Sequence, residues 1–341
     1  MKILILGDAA NNCGTSNVHK EFLKHWPQCD QIDYVHAQDK AGFVFEGIQK
    51  GMRADVVLSP LINFPCIFVQ DILHGVGKPI VCFNHGYVPY ENEVNRLGHS
   101  KWWLNRYRAA LRSADSVVAN SLHQREFVLH FQPELSGRIH NISLGIERFT
   151  QQKSESDAAH FIVAVAGGNR CVKGNDVVSR AIASLVEKGE DVEFRIYGKS
   201  YEGCVSSFEG LPKGFGAECM RGQVDREVFL KDLNQSNLFV MNSRHDSFGL
   251  SLFDSLHEGC SVLISRQCGA LEALKTKDCD VVEDCEDVAE VASKMAYLLR
   301  HPNAERLYST IDFDAYGWDR QVARLRDICV QVNDAKRGRV A

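Results

Sequence analysis

Two aspartates eight positions apart, Asp246 and Asp254, enclose a short turn with the sequence Phe248-Gly249-Leu250. If this turn opens a helix, its backbone amides lack helical partners, so we expect them to face an anion. The aspartates cannot hold that anion, because like charges repel, but they can accept hydrogen bonds from hydroxyl groups. A phosphate beside hydroxyls predicts a ligand of the nucleotide-sugar type.

The turn is positioned by a predicted strand and a predicted helix. The apolar run at 237–241 is typical of a buried parallel strand. In the helix that follows, the apolar side chains fall on one side and Ser255 falls on the other, before Gly259 ends the helix. The turn therefore lies at the carboxyl end of a strand, which is where open parallel sheets bind ligands.

Length and composition are those of a soluble globular protein with two domains. The chain has 341 residues, of which 45% are hydrophobic and 24% are charged. Its formal net charge of -5 argues against a nucleic-acid-binding surface. No apolar run approaches the roughly 20 residues of a membrane span. The apolar start is interrupted by Asp8, which favours a core strand over a signal peptide, so we expect a cytoplasmic protein.

The twelve cysteines include no Cys-x-x-Cys pair, and several, such as Cys82, lie within apolar strand patterns. We interpret them as buried free thiols in a reducing cytoplasm. Paired cysteines or histidines at the short spacing of a zinc site are missing from the sequence, so no metal site is predicted.

Apolar runs typical of strands alternate with helical patterns along the whole chain, which predicts two doubly wound parallel α/β sheets. A polar stretch at 149–157 is typical of a linker and divides a first domain (1–150) from a second domain (151–314). An amphipathic pattern over 315–335 predicts a C-terminal helix that crosses back to the first domain. The predicted strands are 3–7, 31–35, 54–59, 79–84, 116–120, 139–144, 161–166, 192–197, 218–224, 238–242, 261–265 and 280–282.

The aspartate frame resembles the motif of the glycosyltransferase family 4 group of GT-B enzymes, in which two glutamates flank a turn that usually contains Phe-Gly-Leu. The resemblance extends over nearly the full chain, although both acidic positions here carry the shorter Asp246 and Asp254. It implies an α/β fold of two Rossmann-like doubly wound domains that face each other across a cleft. It also implies retaining transfer of a sugar from a nucleoside diphosphate-sugar to a hydroxyl of a saccharide, a glycolipid or another acceptor.

A cationic loop is the second feature of the resemblance. Arg170 and Lys173 follow the strand predicted at 161–166 and precede a helix. A departing diphosphate gains negative charge, which Arg170 can stabilise bidentately and Lys173 as a point charge. The two cations then replace a metal ion, and the sequence has no DxD motif in a suitable loop, so no metal or other cofactor is expected.

Two residues of the first domain extend the resemblance. His85 follows the strand predicted at 79–84, where the family often places a histidine near the transferred sugar. Its expected role is a hydrogen bond to that sugar or support of the developing charge. Gly14 lies in the small-residue loop 13–16 after the first strand, which approaches the donor or acceptor in the family, but a tight turn explains this glycine equally well.

The resemblance also assigns roles around the turn. Asp254 would accept hydrogen bonds from the ribose and Asp246 from the sugar, while the turn amides cradle the phosphates. The departing phosphate oxygen can take the acceptor's proton, so no separate protein base is required. The predicted catalytic residues are His85, Arg170, Lys173 and Asp246, and the predicted donor-binding residues are Gly14, Arg170, Lys173, Asp246, Phe248, Gly249, Leu250 and Asp254.

A basic helix is predicted at 101–112. Aromatic and small residues lie on one face, and the other face carries Lys101, Asn105, Arg108 and Arg112. Family members that act on lipid-linked acceptors place such a surface on the membrane, which makes peripheral contact with the inner face of a membrane one hypothesis. An ordinary surface helix packed by its aromatic face is the alternative, and we favour it.

Three other functions remain open. A nucleotide-sugar epimerase or a sugar phosphorylase would keep the fold and change the reaction. A non-catalytic sugar-binding module would keep only the binding site. The nucleotide base, the transferred sugar and the acceptor are recognised by side chains that lie on several loops. The sequence therefore does not identify these three groups.

Overall fold

The structure is a computed structural model that describes residues 1–7, 9, 14–60, 63–148, 160–201 and 208–340, without the side chains of 339 and 340. The chain divides into two compact units, and it passes from one to the other four times. The first unit comprises Met1–Pro89, His99–Glu147 and Asp314–Ala341, and the second comprises Tyr90–Gly98 and Arg148–Phe313. A short segment of the N-terminal half therefore belongs to the second unit. The predicted linker at 149–157 lies outside the described residues.

Each unit contains a six-stranded parallel sheet, which confirms the predicted α/β fold. The first has β1 (Lys2–Ile5), β2 (Gln31–Tyr34), β3 (Val56–Ser59), β4 (Ile80–Asn84), β5 (Ser116–Ala119) and β6 (Ile139–Asn141), in the order β2-β1-β3-β4-β5-β6. The second has β7 (Phe161–Ala166), β8 (Val192–Tyr197), β9 (Met220–Gly222), β10 (Leu238–Met241), β11 (Ser261–Ser265) and β12 (Val281–Val282), in the order β12-β11-β10-β7-β8-β9. Every predicted strand is present, with ends trimmed by a few residues.

Helices connect the strands, and several begin where a polar side chain caps the free amides of the first turn. Ser100 accepts a hydrogen bond from the amide of Trp103, and Ser121 accepts one from Gln124. The helices are α1 (Gly14–His25), α2 (Lys40–Arg53), α3 (Phe64–Gly75), α4 (Val88–Val94), α5 (Lys101–Ser113), α6 (Leu122–Phe131), α7 (Asn175–Glu187), α8 (Arg226–Gln235), α9 (Leu250–His257), α10 (Val288–Arg300), α11 (Ala304–Tyr308), α12 (Phe313–Tyr316) and α13 (Trp318–Val340).

The strand order places one switch point in each sheet. In the second unit the chain moves outward from β7 to β8 and β9, and then returns to the other side of β7 with β10. The carboxyl ends of β7 and β10 therefore flank the position at which open α/β sheets bind ligands. In the first unit the same reversal lies between β1 and β3.

Two helices differ from their predicted form. Ser255, which the pattern places on the polar side of α9, is fully buried. Its hydroxyl can be buried because it donates a hydrogen bond to the carbonyl of Ser251 at 2.7 Å. Helix α13 continues beyond 335 to Val340, and Arg337 forms an ion pair with Asp55 at 2.9 Å in the first unit. No helix in the described part of the chain has the length and apolarity of a membrane span. The ten cysteines within the described ranges are free thiols.

Candidate functional site

The loop after β10 brings Asp246 to the switch point of the second unit. The amide of Asp246 donates to the carbonyl of Gln267, and the amide of Gly269 donates to the carbonyl of Asp246, both at 2.9 Å. These bonds join the loop to the one that follows β11, which fixes the backbone of Asp246. The residue is only 8% exposed, so its charge needs a partner.

Glycines of the loop after β7 bring Lys173 to the same place. Gly167 has φ of 101°, and a Cβ there would lie 2.4 Å from Cγ of Lys173, so the lysine stem occupies the space above this glycine. Gly174 has φ of 64°, and a Cβ there would lie 2.0 Å from the carbonyl oxygen of Asn242. Only glycine allows the two loops to approach this closely.

Lys173 and Asp246 form an ion pair with a distance of 2.6 Å between Nζ and Oδ2. Burial alone would raise the pKa of Asp246, but the charge and the hydrogen bond of Lys173 outweigh it and hold the pKa below its ordinary value. Asp246 is therefore a carboxylate at neutral pH. The structure brings together two residues that the sequence analysis assigned to separate parts of a ligand.

The turn itself differs from its predicted form at Phe248. The amide of Phe248 donates to Oδ1 of Asp246 at 3.3 Å, so it is already used within the protein. The ring is fully buried and stacks on Phe253 with 5.3 Å between centroids. The phosphate contact of the Phe248 amide stays a prediction, in which the phosphate would compete with this carboxylate for the amide.

The amides that remain for an anion are those at the start of α9. Gly249, the N-cap residue of α9, adopts φ of 86° and has no side chain that could cap the first turn. A Cβ at Gly249 would lie 2.6 Å from Sδ of Met241, so a larger residue would push the turn away from the sheet. Leu250 is the first helical residue, and its amide points outward from the N-terminus.

Arg170 lies on the loop that follows β7, three residues before Lys173. Its Nε donates to the carbonyl of Gly167 at 3.3 Å, and its guanidinium lies 5.6 Å from the ring centroid of Tyr201. Within the described ranges Arg170 makes no ion pair, unlike Lys173. None of the described carboxylates therefore neutralises its charge.

Asp254 lies on α9 and pairs with a cation that the sequence analysis missed. Arg226 Nη2 lies 2.7 Å from Asp254 Oδ1, and the arginine side chain is 47% exposed. Arg226 is the first residue of α8, where the helix dipole disfavours a positive charge. Because this position disfavours a positive charge, the sequence alone could have indicated that Arg226 has an acidic partner.

A second missed residue, Arg244, holds the loops of the site together. Its amide donates to the carbonyl of Val172 at 2.8 Å, and its guanidinium binds Asp176 at 2.9 and 3.0 Å and Glu286 at 2.8 Å. Burial would lower the pKa of Arg244, but the bonds to Asp176 and Glu286 outweigh it and raise the pKa. Arg244 therefore anchors the segment that ends in Lys173.

Asn95 completes the support of that segment from the N-terminal half of the chain. Its Oδ1 accepts a hydrogen bond from the amide of Val172 at 2.9 Å, and the residue is fully buried. Tyr90, five residues earlier, lies against His245 with 5.8 Å between ring centroids. The sequence pattern of α4 gave no indication of these contacts, because they connect positions far apart in the chain.

The first unit holds the predicted His85 just after β4. Its ring lies 5.0 Å from that of Phe83 and 5.5 Å from that of His19, centroid to centroid. Burial, together with His19, holds the pKa of His85 well below its ordinary value, so the imidazole is neutral at pH 7. A neutral ring can exchange hydrogen bonds with hydroxyls but carries no charge toward phosphate.

Gly14 is the first residue of α1, and no atom of the described residues lies within 4 Å of a Cβ placed at this position. Cys13, which precedes it in the predicted small-residue loop, lies outside the described residues. The contact of Gly14 with the donor therefore stays a prediction.

Helix α5 packs by its aromatic face, as expected if the helix predicted at 101–112 is an ordinary surface helix. Tyr107 is buried, and its hydroxyl accepts a hydrogen bond from Asn84 at 2.8 Å and donates to the carbonyl of Gly86 at 3.0 Å. Trp102, on the outer side, is 60% exposed and lies 5.6 Å from the ring of Phe64. Contact with a membrane stays a prediction.

Several solved glycosyltransferases share this architecture. Sucrose-phosphate synthase from Thermosynechococcus elongatus has a TM-score of 0.73 at 14% identity, over 98% of this chain and 99% of that chain. HepE from Anabaena, solved with UDP and glucose, has a TM-score of 0.70 at 13% identity, over 97% and 100%. The UDP-forming α,α-trehalose-phosphate synthase from Burkholderia xenovorans has a TM-score of 0.64 at 12% identity, over 98% and 99%. The protein thus has the GT-B fold of nucleotide-sugar glycosyltransferases.

The sequence defines the family more closely. Residues 105–325, more than half of the chain, match the family described as Family 4 Glycosyltransferase in conflict systems. The chain belongs to this family, which confirms the resemblance drawn from Asp246 and Asp254. D-inositol 3-phosphate glycosyltransferase 1 of Catenulispora acidiphila is 22% identical over 253 residues, which are 68% of this chain and 60% of the relative's length.

Proposed function

We propose that this protein transfers a glycosyl group from a nucleoside diphosphate-sugar to an acceptor hydroxyl, with retention at the anomeric carbon. The observation that carries the proposal is the buried pair of Lys173 and Asp246 at the switch point of the second unit. Family membership supports the reaction class, and the geometry supports the division of roles. The ammonium of Lys173 has three donors, of which Asp246 uses one, so two remain for phosphate oxygens.

In the proposed reaction the bond between the anomeric carbon and the phosphate oxygen breaks, and the acceptor oxygen bonds to the same carbon from the same face. The acceptor's proton passes to the departing phosphate oxygen, which leaves as a nucleoside diphosphate. Lys173, Arg170 and the amides at the start of α9 stabilise the charge that develops on this oxygen. These groups take the part that a metal ion has in other phosphate chemistry, so the step needs none.

In the proposed complex, Asp246, Asp254 and His85 form hydrogen bonds with the hydroxyl groups of the donor. Asp246 keeps lone pairs beyond those used by Lys173 and Phe248, and these accept from the sugar. Asp254, which also pairs with Arg226, accepts from the ribose. The neutral ring of His85 hydrogen-bonds the transferred sugar without bringing a charge near the reacting carbon.

The first donor to test is UDP-glucose, because HepE, a structural neighbour, was solved with it. The protein is incubated with a panel of nucleoside diphosphate-sugars, with and without saccharide and glycolipid acceptors. We expect a glycoside whose anomeric proton coupling shows retained configuration, and only slow hydrolysis with donor alone. An epimerised donor would support the epimerase, phosphate-dependent sugar release would support the phosphorylase, and nucleotide binding without any turnover would support a binding module.

Membrane contact through α5 is part of the proposal only for a glycolipid acceptor. Lys101 and Arg108 are seven residues apart and so fall on one face of this helix, and Trp102, next to Lys101, is exposed. Co-sedimentation with anionic vesicles, compared between the natural chain and Lys101→Glu/Arg108→Glu, tests it. Equal sedimentation of the two would remove the membrane from the proposed function and leave the transfer reaction intact.

A further inference from the structure

A histidine and two glutamates converge in the first unit, away from the site described above. Glu21 and His25 are one turn apart on α1, and Glu147 is the last residue of the first unit before the chain enters the second. One ligand atom from each of the three lies within 4.8 Å of the other two. One imidazole and two carboxylates form a donor set suited to a divalent transition metal.

The orientation of His25 is fixed by a fourth residue. Asp319, near the start of α13, lies 2.7 Å from Nδ1 of His25. A carboxylate accepts hydrogen bonds, so Nδ1 carries the hydrogen, and Nε2 is directed toward Oε2 of Glu21 at 3.3 Å. The ring also stacks on Trp318, with 6.4 Å between centroids. A carboxylate that orients the far nitrogen of a histidine is the arrangement found behind metal-bound histidines.

The inner nitrogen lacks a partner that suits it. Nε2 of His25 is buried as an atom and makes no hydrogen bond within the described part of the chain. Its nearest charged neighbour, Glu21, lies 3.3 Å away but outside hydrogen-bond geometry. A metal ion between Nε2 and the two carboxylates would give this nitrogen a partner.

The positive charge now beside the carboxylates is the ammonium of Lys24, at 2.9 Å from Glu147 and 3.4 Å from Glu21. The lysine side chain is 57% exposed and flexible, so it can leave toward solvent at little cost. The hydrogen bond that Lys24 donates to Glu147 places its ammonium where a metal ion would lie, so Lys24 competes with any metal ion.

We propose that Glu21, His25 and Glu147 bind one divalent transition-metal ion of the zinc or manganese class, which displaces Lys24, and that Asp319 positions the imidazole. Nitrogen and oxygen ligands lie about 2.0–2.2 Å from zinc, so the side chains must close in slightly, and water completes the coordination. The ion joins α1 to the two segments at which the chain leaves and re-enters the first unit. These segments already share a hydrogen bond, from the amide of Ile146 to the carbonyl of Tyr316 at 2.8 Å.

Calorimetric titration of the full chain with ZnCl₂ and with MnCl₂, without nucleotide, tests the proposal. Manganese is included because it has little affinity for the free thiols. We expect one site that His25→Gln and Glu21→Gln each weaken at least tenfold, and that Asp319→Asn weakens by roughly ten- to hundredfold. Lys24→Met is expected to bind several-fold more tightly, since it removes the competing charge.

His160→Gln is the matched control. His160 also lies near two carboxylates, but Asp191 approaches Nδ1 and Glu193 approaches Nε2, so they cannot converge on one ion. Its affinity is expected to equal that of the natural chain. Lack of a site for either ion, an affinity unchanged in His25→Gln, or weaker binding in Lys24→Met would overturn the proposal. None of these readouts requires glycosyl transfer, so the test is independent of the proposed function.

Discussion

Among the described residues, the carboxyl-end edges of the two sheets differ in charge. In the second unit the carboxyl ends of β7 and β10 carry Lys173, Asp246 and Arg244, held together by ion pairs. In the first unit the buried polar residues that end β3, β4 and β5 include Ser59, Asn84 and Asn120, which are neutral. In the proposed reaction the charged edge suits an anionic leaving group and the neutral edge suits hydroxyls. Charge, and not architecture, therefore distinguishes the described parts of the two edges.

The largest expected effect is the loss of activity when the ammonium group of Lys173 is removed from the charged edge. Lys173→Ala is expected to lower kcat by two or more orders of magnitude, because a developing phosphate charge loses its stabilisation and Asp246 is left unpaired. Steady-state assays of sugar transfer measure it. Lys188→Ala, an exposed lysine at the far end of α7, is the control and should retain full activity. Near-normal turnover in Lys173→Ala would remove the functional distinction between the edges.

Arg244→Ala tests whether the charged edge is also the better anchored one. We expect the free energy of unfolding to fall by about 2–3 kcal/mol, because the half-buried Asp176 and the carbonyl of Cys171 lose their partner. Urea denaturation measures the change. Arg266→Ala is the matched control, since Arg266 and Glu283 are more than half exposed, and it should cost less than about 1 kcal/mol. Equal losses in the two variants would contradict the anchoring role.

Asp254→Asn tests whether a residue of the charged edge also binds hydroxyl groups. We expect nucleoside diphosphate affinity to fall roughly tenfold, the scale of one weakened charge-assisted hydrogen bond. Calorimetry measures the dissociation constant. Arg226→Ala separates two explanations: a similar loss would mean that Asp254 acts through its arginine, whereas near-normal affinity would leave the ribose as its partner. Unchanged affinity in Asp254→Asn would rule out both.

The smallest expected effect concerns the neutral edge. The pKa of His85 is depressed in the folded protein, so below its ordinary value near pH 6.5 only the unfolded chain takes up the proton. The free energy of unfolding should therefore decrease as the pH falls from about 6.5, by at most about 1.4 kcal/mol per pH unit from this group. His85→Gln should flatten this dependence more than His140→Gln, whose pKa is lowered by burial and Arg125. Identical pH profiles in His85→Gln and the natural chain would contradict a neutral His85.

The strands were predictable because each buried parallel strand is a short apolar run that leaves little room for another interpretation. The placement of Lys173 and Asp246 after strands β7 and β10 followed from the same pattern. Their direct pairing did not, because the two residues are 73 positions apart and neither loop contains information about the other. The hydrogen bond from the amide of Phe248 to Asp246 was not foreseen for a related reason: the acceptor is a side chain, and the sequence of the turn does not determine its rotamer.

The residues that support the site were harder to foresee. Arg244 stands only two positions before Asp246, but an arginine in a loop is usually solvated, and its partners Asp176 and Glu286 come from other loops. Asn95 contributes through a segment that the sequence pattern assigned to the first domain. Such contacts depend on how distant segments meet, which local propensity does not determine.

The segment Tyr90–Gly98 limits how this protein can be recombined with its relatives. A chimera that joins the first half of one family member to the second half of another would exchange everything up to 147 as one block. The acceptor for the buried amide of Val172 would then come from a foreign sequence, and a mismatch at position 95 would leave that amide without a hydrogen bond. Exchange of the second half therefore requires the nine-residue segment Tyr90–Gly98 from the first half to travel with it.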